Sequence, residues 1–133
     1  MNSENRIKVT SDPEKNILKI SFAGKITVND MPFLKERITC ELPRLKKGFS
    51  LLTDLTDLIS METKCAPFIK KVMELMRDQG IELVVRIIPD PSKDIGLNIM
   101  SRFHYPSSLR VVTVNSHEEA NLKLSEKNSD PEI

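Results

Sequence analysis

A chain of 133 residues is the length of one domain and can bury a core without help from disulfides or metal. Its 20 Lys+Arg against 19 Asp+Glu leave a net charge of +1, without the basic excess that non-specific nucleic-acid binding draws on. No apolar run approaches the roughly 18 residues that span a bilayer, and no Lys/Arg block exceeds a pair, so neither a membrane helix nor a polybasic membrane patch is expected.

The opening Met-Asn-Ser-Glu-Asn-Arg is polar and lacks the apolar stretch of a secretory signal. Cys40 and Cys65 lie far apart with no C-x-x-C spacing, which fits a cytoplasmic protein with reduced thiols. With no Trp and one Tyr, stacking platforms for single-stranded nucleic acid are poorly supplied.

Arg6 to Thr10 alternates Ile7 and Val9 with polar residues, the pattern of an edge strand. The turn cluster Ser11–Asn16 leads to a second strand carrying Ile17, Leu18, Ile20 and Phe22 and ending at Gly24, so the two pair as a hairpin. Asp30 is placed to cap a helix with Pro32 in its first turn; Phe33 or Leu34, with Ile38, Leu42 and Leu45, form its apolar face, and Pro43 kinks it or ends it early. A third strand, Phe49 to Asp54, then feeds a polar Thr/Asp/Ser loop.

Ser60 is the expected cap of a second helix, with Ile69, Val72, Met73 and Met76 as its buried stripe and Gly80 as its left-handed stop. Leu83 to Ile88 is continuous enough to be a central strand buried on both faces. Pro89-Asp90-Pro91 closes it, Ser92 caps a third helix carrying Ile95, Ile99 and Phe103, and Leu109 to Val114 is the fifth strand. Ser116 caps a last helix through Leu124, and residues 1–5 and 125–133 are expected to be flexible termini. The order ββαβαβαβα predicts an α/β domain over 6–124, with a mostly parallel sheet, an antiparallel N-terminal edge hairpin and flanking helices.

Catalytic apparatus is sparse. His104 and His117 with Asp90 or Glu118 have no metal-ligand spacing, and Ser107-Ser108 with His117 lack a nucleophile elbow, so no metal site and no hydrolase are expected. No Gly-rich phosphate loop is present, and no cofactor is expected. Lys64 reads either as a fixed positive charge for an anionic ligand or acidic partner, or as a solvated lysine. Cys65 reads as a small packing residue, with a redox thiol as the alternative. Met61, Met73, Met76 and Met100 at helical spacing read as core.

Three segments carry a family likeness. Phe22-Ala23-Gly24-Lys25-Ile26-Thr27, Asp54-Leu55-Thr56-Asp57-Leu58-Ile59-Ser60-Met61 and Ser116-His117-Glu118-Glu119-Ala120 fall in the order and spacing of conserved stretches of the STAS domain. The chain resembles that family, which includes bacterial anti-sigma-factor antagonists. The resemblance implies a non-enzymatic protein–protein regulatory module whose partner is an anti-sigma-factor, kinase-like or other regulatory protein. It places the docking surface at Thr56, Asp57, Ser60, Glu62, Thr63, Lys64 and Cys65.

The family's Asp-Ser-Ser-Gly phosphorylation motif aligns with Glu62, Thr63, Lys64 and Cys65, so the acceptor position is a lysine and Thr63 is the adjacent substitute. The alternative function is a small-molecule or lipid-binding module, using the crevice between the second and third helices.

Overall fold

The computed structural model of the chain describes residues 3–88 and 109–128. Five strands, β1 (Ile7–Asp12), β2 (Ile17–Ile26), β3 (Ser50–Met61), β4 (Leu83–Ile87) and β5 (Arg110–Val114), form one sheet in that order. β1 pairs antiparallel with β2 and every other pairing is parallel. The helices among the described residues are α1 (Met31–Glu41), α2 (Ala66–Asp78) and α3 (His117–Asn128). The edge hairpin and the internal position of β4 are as the sequence predicts.

Alternation along the strands sorts side chains into two cores. Ile20, Phe22, Leu51, Leu55 and Val84 face α1 and α2, whose Leu34, Ile38, Ile69, Val72, Met73 and Met76 close over them. Leu52, Leu83, Val85 and Ile87 point the other way, under Ala120 and Leu124 of α3. β4 therefore lies between two helical layers, which is why its sequence is apolar without alternation. Gly80 ends α2 at φ +92°, where a Cβ would also stand 2.6 Å from Lys47 Cγ, so only glycine fits both the backbone and the contact.

Several boundaries differ from expectation. β2 runs through Gly24 to Ile26, and β3 continues through the polar run expected to be a loop. Ser60 therefore lies in a strand and caps nothing; α2 starts at Ala66, after a 3₁₀ turn over Thr63–Cys65. α3 runs to Asn128, four residues past Leu124. Pro43 does end α1, at Glu41, by starting a 3₁₀ turn. The helix expected from Ser92 lies outside the described residues.

Asp30 is the largest surprise. It precedes α1, but its side chain makes no cap bond to that helix. Instead it is fully buried, accepts from Arg6 and Ser3, and takes the Thr27 backbone N–H at 2.9 Å. Arg6 sits just before β1, so this carboxylate ties the start of the chain to the β2–α1 turn. A second buried carboxylate, Glu41, accepts from Ser11 at 2.6 Å and pairs with Arg37 at 2.8 Å, fastening the far end of α1 to β1. The Ser11 bond outweighs burial and, with the arginines, lowers its pKa.

Burial alone would raise the Asp30 pKa, but the bonds from Arg6, Ser3 and Thr27 win and hold it at about 2, against 3.8 for a free carboxyl. A folded pKa below the unfolded one means stability present at neutral pH and lost as pH falls through the range between them. The shift corresponds to about 2 kcal/mol, given up between roughly pH 5 and pH 1. Denaturant titrations across that range should show this loss in the wild type and a shallower slope in Asp30→Asn. At neutral pH that variant should be destabilised by roughly 2–4 kcal/mol, because it leaves the Arg6 charge without its partner.

Candidate functional site

The site grows out of a length mismatch. β4 accompanies β3 only as far as Asp54, paired with Ile87, whereas β2 stays with β3 to Met61. The last turns of β2 and β3 thus project past β4 as a two-stranded parallel ribbon that delivers the chain to α2.

Two bulges shape that ribbon. The register steps between Ser21 and Ala23, where β3 holds both Leu55 and Thr56, and again between Gly24 and Lys25, where Ile59 is the extra residue. Asp54 stabilises the first bulge by accepting from the Thr56 backbone N–H at 2.9 Å and from its hydroxyl. Gly24, at φ +75°, supplies the left-handed backbone at the second. The result buries Leu55 and Leu58, three residues apart, and turns Thr56, Asp57, Ile59 and Ser60 outward. Ile59 is 64% exposed.

Glu62 then joins the two helix starts. Its N–H donates to Ile26 O at 3.0 Å, and its carboxylate accepts from the Val28 N–H at 2.9 Å. Thr63 and Lys64 are exposed in the turn before α2. Cys65 is fully buried, so of the residues expected at the docking surface it alone is out of a partner's reach. Burial, with Glu62 and Asp30 nearby, raises the pKa of its thiol, which leaves it protonated and inert at neutral pH.

Two features escaped the sequence reading. His117, at the start of α3, pairs with Asp54 at 2.9 Å on the opposite face of the sheet, beside Lys8 and Lys19. Among the described residues no three His, Cys, Asp or Glu side chains cluster as metal ligands. His104, Asp90, Ser107 and Ser108 lie outside the described residues.

The second is Arg86, buried in mid-sheet, with Nη2 donating to Thr113 Oγ1 at 3.2 Å and Thr53 opposite it in register. The signal was a single charge in an otherwise apolar strand. Arg86 and Thr53 border a cavity of about 40 Å³ otherwise walled by apolar side chains such as Met73 and Met76. That is room for a few waters at most, each needing about 10–15 Å³.

Comparison with solved structures identifies the architecture. An uncharacterised protein from Shewanella loihica with a SpoIIAA-like fold superposes with a TM-score of 0.67 at 17% identity, over 89% of this chain and 91% of that one. The chain has the SpoIIAA-like STAS fold. The anti-sigma factor antagonist SpoIIAA in its unphosphorylated form superposes with a TM-score of 0.59 at 10% identity, over 90% of this chain and 97% of that one. An anti-sigma factor antagonist from Mycobacterium paratuberculosis gives 0.57 at 15% identity, over 94% and 99%. No protein-family model and no curated protein matches the sequence. Among the described residues, no helix is long and apolar enough to cross a membrane.

The contrast between the thiols is directly measurable. Cys40 is exposed on α1 and Cys65 is buried. Titration of the native protein with a thiol-reactive chromogen should modify Cys40 quickly and Cys65 only after denaturation; fast reaction of both would mean that the start of α2 is open.

Proposed function

We propose that the chain is a non-enzymatic regulatory module of a bacterial cytoplasm, which docks a protein partner on the β2–β3 ribbon and the turn leading into α2. The observation that carries this reading is the outward display of Thr56, Asp57, Ile59, Ser60, Thr63 and Lys64 on a ribbon held by Asp54 and Glu62. A preorganised, solvent-facing surface suits partner contact, because little conformational freedom is left to lose there. The anti-sigma factor antagonists that share the fold support a protein partner as the class.

The competing reading, a small-molecule or lipid-binding module, finds beside α2 the 40 Å³ cavity and an open groove of about 230 Å³ against α1, both short of the roughly 300 Å³ of an ordinary ligand pocket. Its other expected wall, the helix from Ser92, lies outside the described residues.

Lys64 is the decisive position. Tagged wild-type and Lys64→Glu proteins used as baits, followed by affinity measurement on the partner recovered, should differ by about 1–3 kcal/mol in binding. Folding stability should change by less than about 1 kcal/mol, because Lys64 is exposed. An unchanged affinity removes the start of α2 from the docking surface.

The same reading makes a statement about phosphorylation. With lysine at the acceptor position, incubation with a STAS-directed kinase should leave Ser60 unmodified in intact-mass spectra, with Thr63 as the substitute acceptor. Stoichiometric phosphate on Ser60 would show that the alignment is shifted.

A further inference from the structure

α1 and α2 begin at the same end of the domain, because each follows a strand of the parallel set, and a groove of about 230 Å³ opens between them. Met31, Pro32 and Lys35 form one wall; Phe68, Lys71, Val72 and Leu75 form the other. Phe68 is 45% exposed, one of few large apolar side chains left uncovered among the described residues. The groove holds a lysine on each wall and no carboxylate, although the chain as a whole is almost neutral.

We propose that this groove is the seat of an acidic amphipathic helix of the partner protein, with apolar side chains packing on Phe68 and Leu75 and carboxylates meeting Lys35 and Lys71. The inference rests on the docking function proposed above and names the chemistry of the partner. A cleft between two helices is the recurrent receptor for a third, read through apolar anchors at i, i+3, i+4 and i+7. Charge complementarity sets its sign: flanking acids are attracted, flanking lysines repelled. The receptor is also preformed, since the Asp30 network fixes the start of α1 before any partner arrives.

The probe is a helical peptide of about 16 residues, with Leu at those four spacings and Glu flanking them, titrated into the isotope-labelled full chain and followed by amide NMR. Shifts should concentrate on residues 31–35 and 68–75. Lys35→Glu combined with Lys71→Glu should weaken binding by at least about tenfold; both side chains are exposed, so the fold survives.

Lys64→Glu should weaken it by less than about threefold, because Lys64 lies roughly a Debye length from Lys71 along the helix. Failure of the groove is thereby distinguishable from failure of the ribbon surface, which Lys64→Glu tests alone. A Lys-flanked peptide that binds as well as the Glu-flanked one overturns the proposal. So does binding of anionic phosphatidylglycerol vesicles, but not the peptide, through the same two lysines, which would assign the groove to a lipid surface. Concentration-dependent self-association that the double variant abolishes, without peptide binding, would assign it to a second copy of the chain and overturn the proposal equally.

Discussion

The buried Asp30 carboxylate is the constraint on which the rest of the arrangement hangs. It gathers Arg6 and Ser3 from the N-terminal segment and Thr27 from the β2–α1 turn, and it lies near enough to Cys65 to contribute to that thiol's raised pKa. Without these bonds, burial would press the carboxyl toward neutrality; with them the charged form prevails. One charge thus fixes where β1 enters and where α1 begins. Through the Val28–Glu62 bond it also bears on where α2 begins. The ribbon and the α1–α2 groove are both built from elements that this network sets in place.

The second constraint is the unequal length of the strands. A parallel sheet in which every strand ended together would leave only turns at its carboxyl edge. Here β2 and β3 overrun β4, and the overrun carries hydroxyls, an acid and an isoleucine into solvent on backbone held by a ladder. Surface chemistry usually assigned to loops is presented by a strand pair, which lowers the ordering cost of any contact made there.

How much of this was legible follows from the physics of each element. The α2 stripe and the apolar run of β4 were readable because their periods, 3.6 and continuous, match the layers they face. β3 beyond Asp54 was not, because its buried residues, Leu55 and Leu58, fall three apart. The bulges absorb that offset, so the alternation that marks a strand disappears from the sequence. Asp30 was misread for a different reason. An aspartate before a helix is a cap by local rules, and its true partner lies 24 residues away. Of the docking residues expected by resemblance, all but Cys65 reach the surface, because side chains on the ribbon and the following turn face solvent while a 3₁₀ turn tucks Cys65 inward.

The two bulges also bear on how this surface can change over generations. Each inserts one residue against its partner strand, so facing along the ribbon is governed by residue count rather than by residue type. Exchanging Thr56, Asp57 or Ser60 for other side chains alters what is displayed and leaves the scaffold alone. Losing a bulge residue, Thr56 or Ile59, would instead straighten the ladder at that point and remove the bend that displays its neighbours. Lineages carrying this ribbon are therefore free to diversify its specificity by point replacement, while indels within it should be purged.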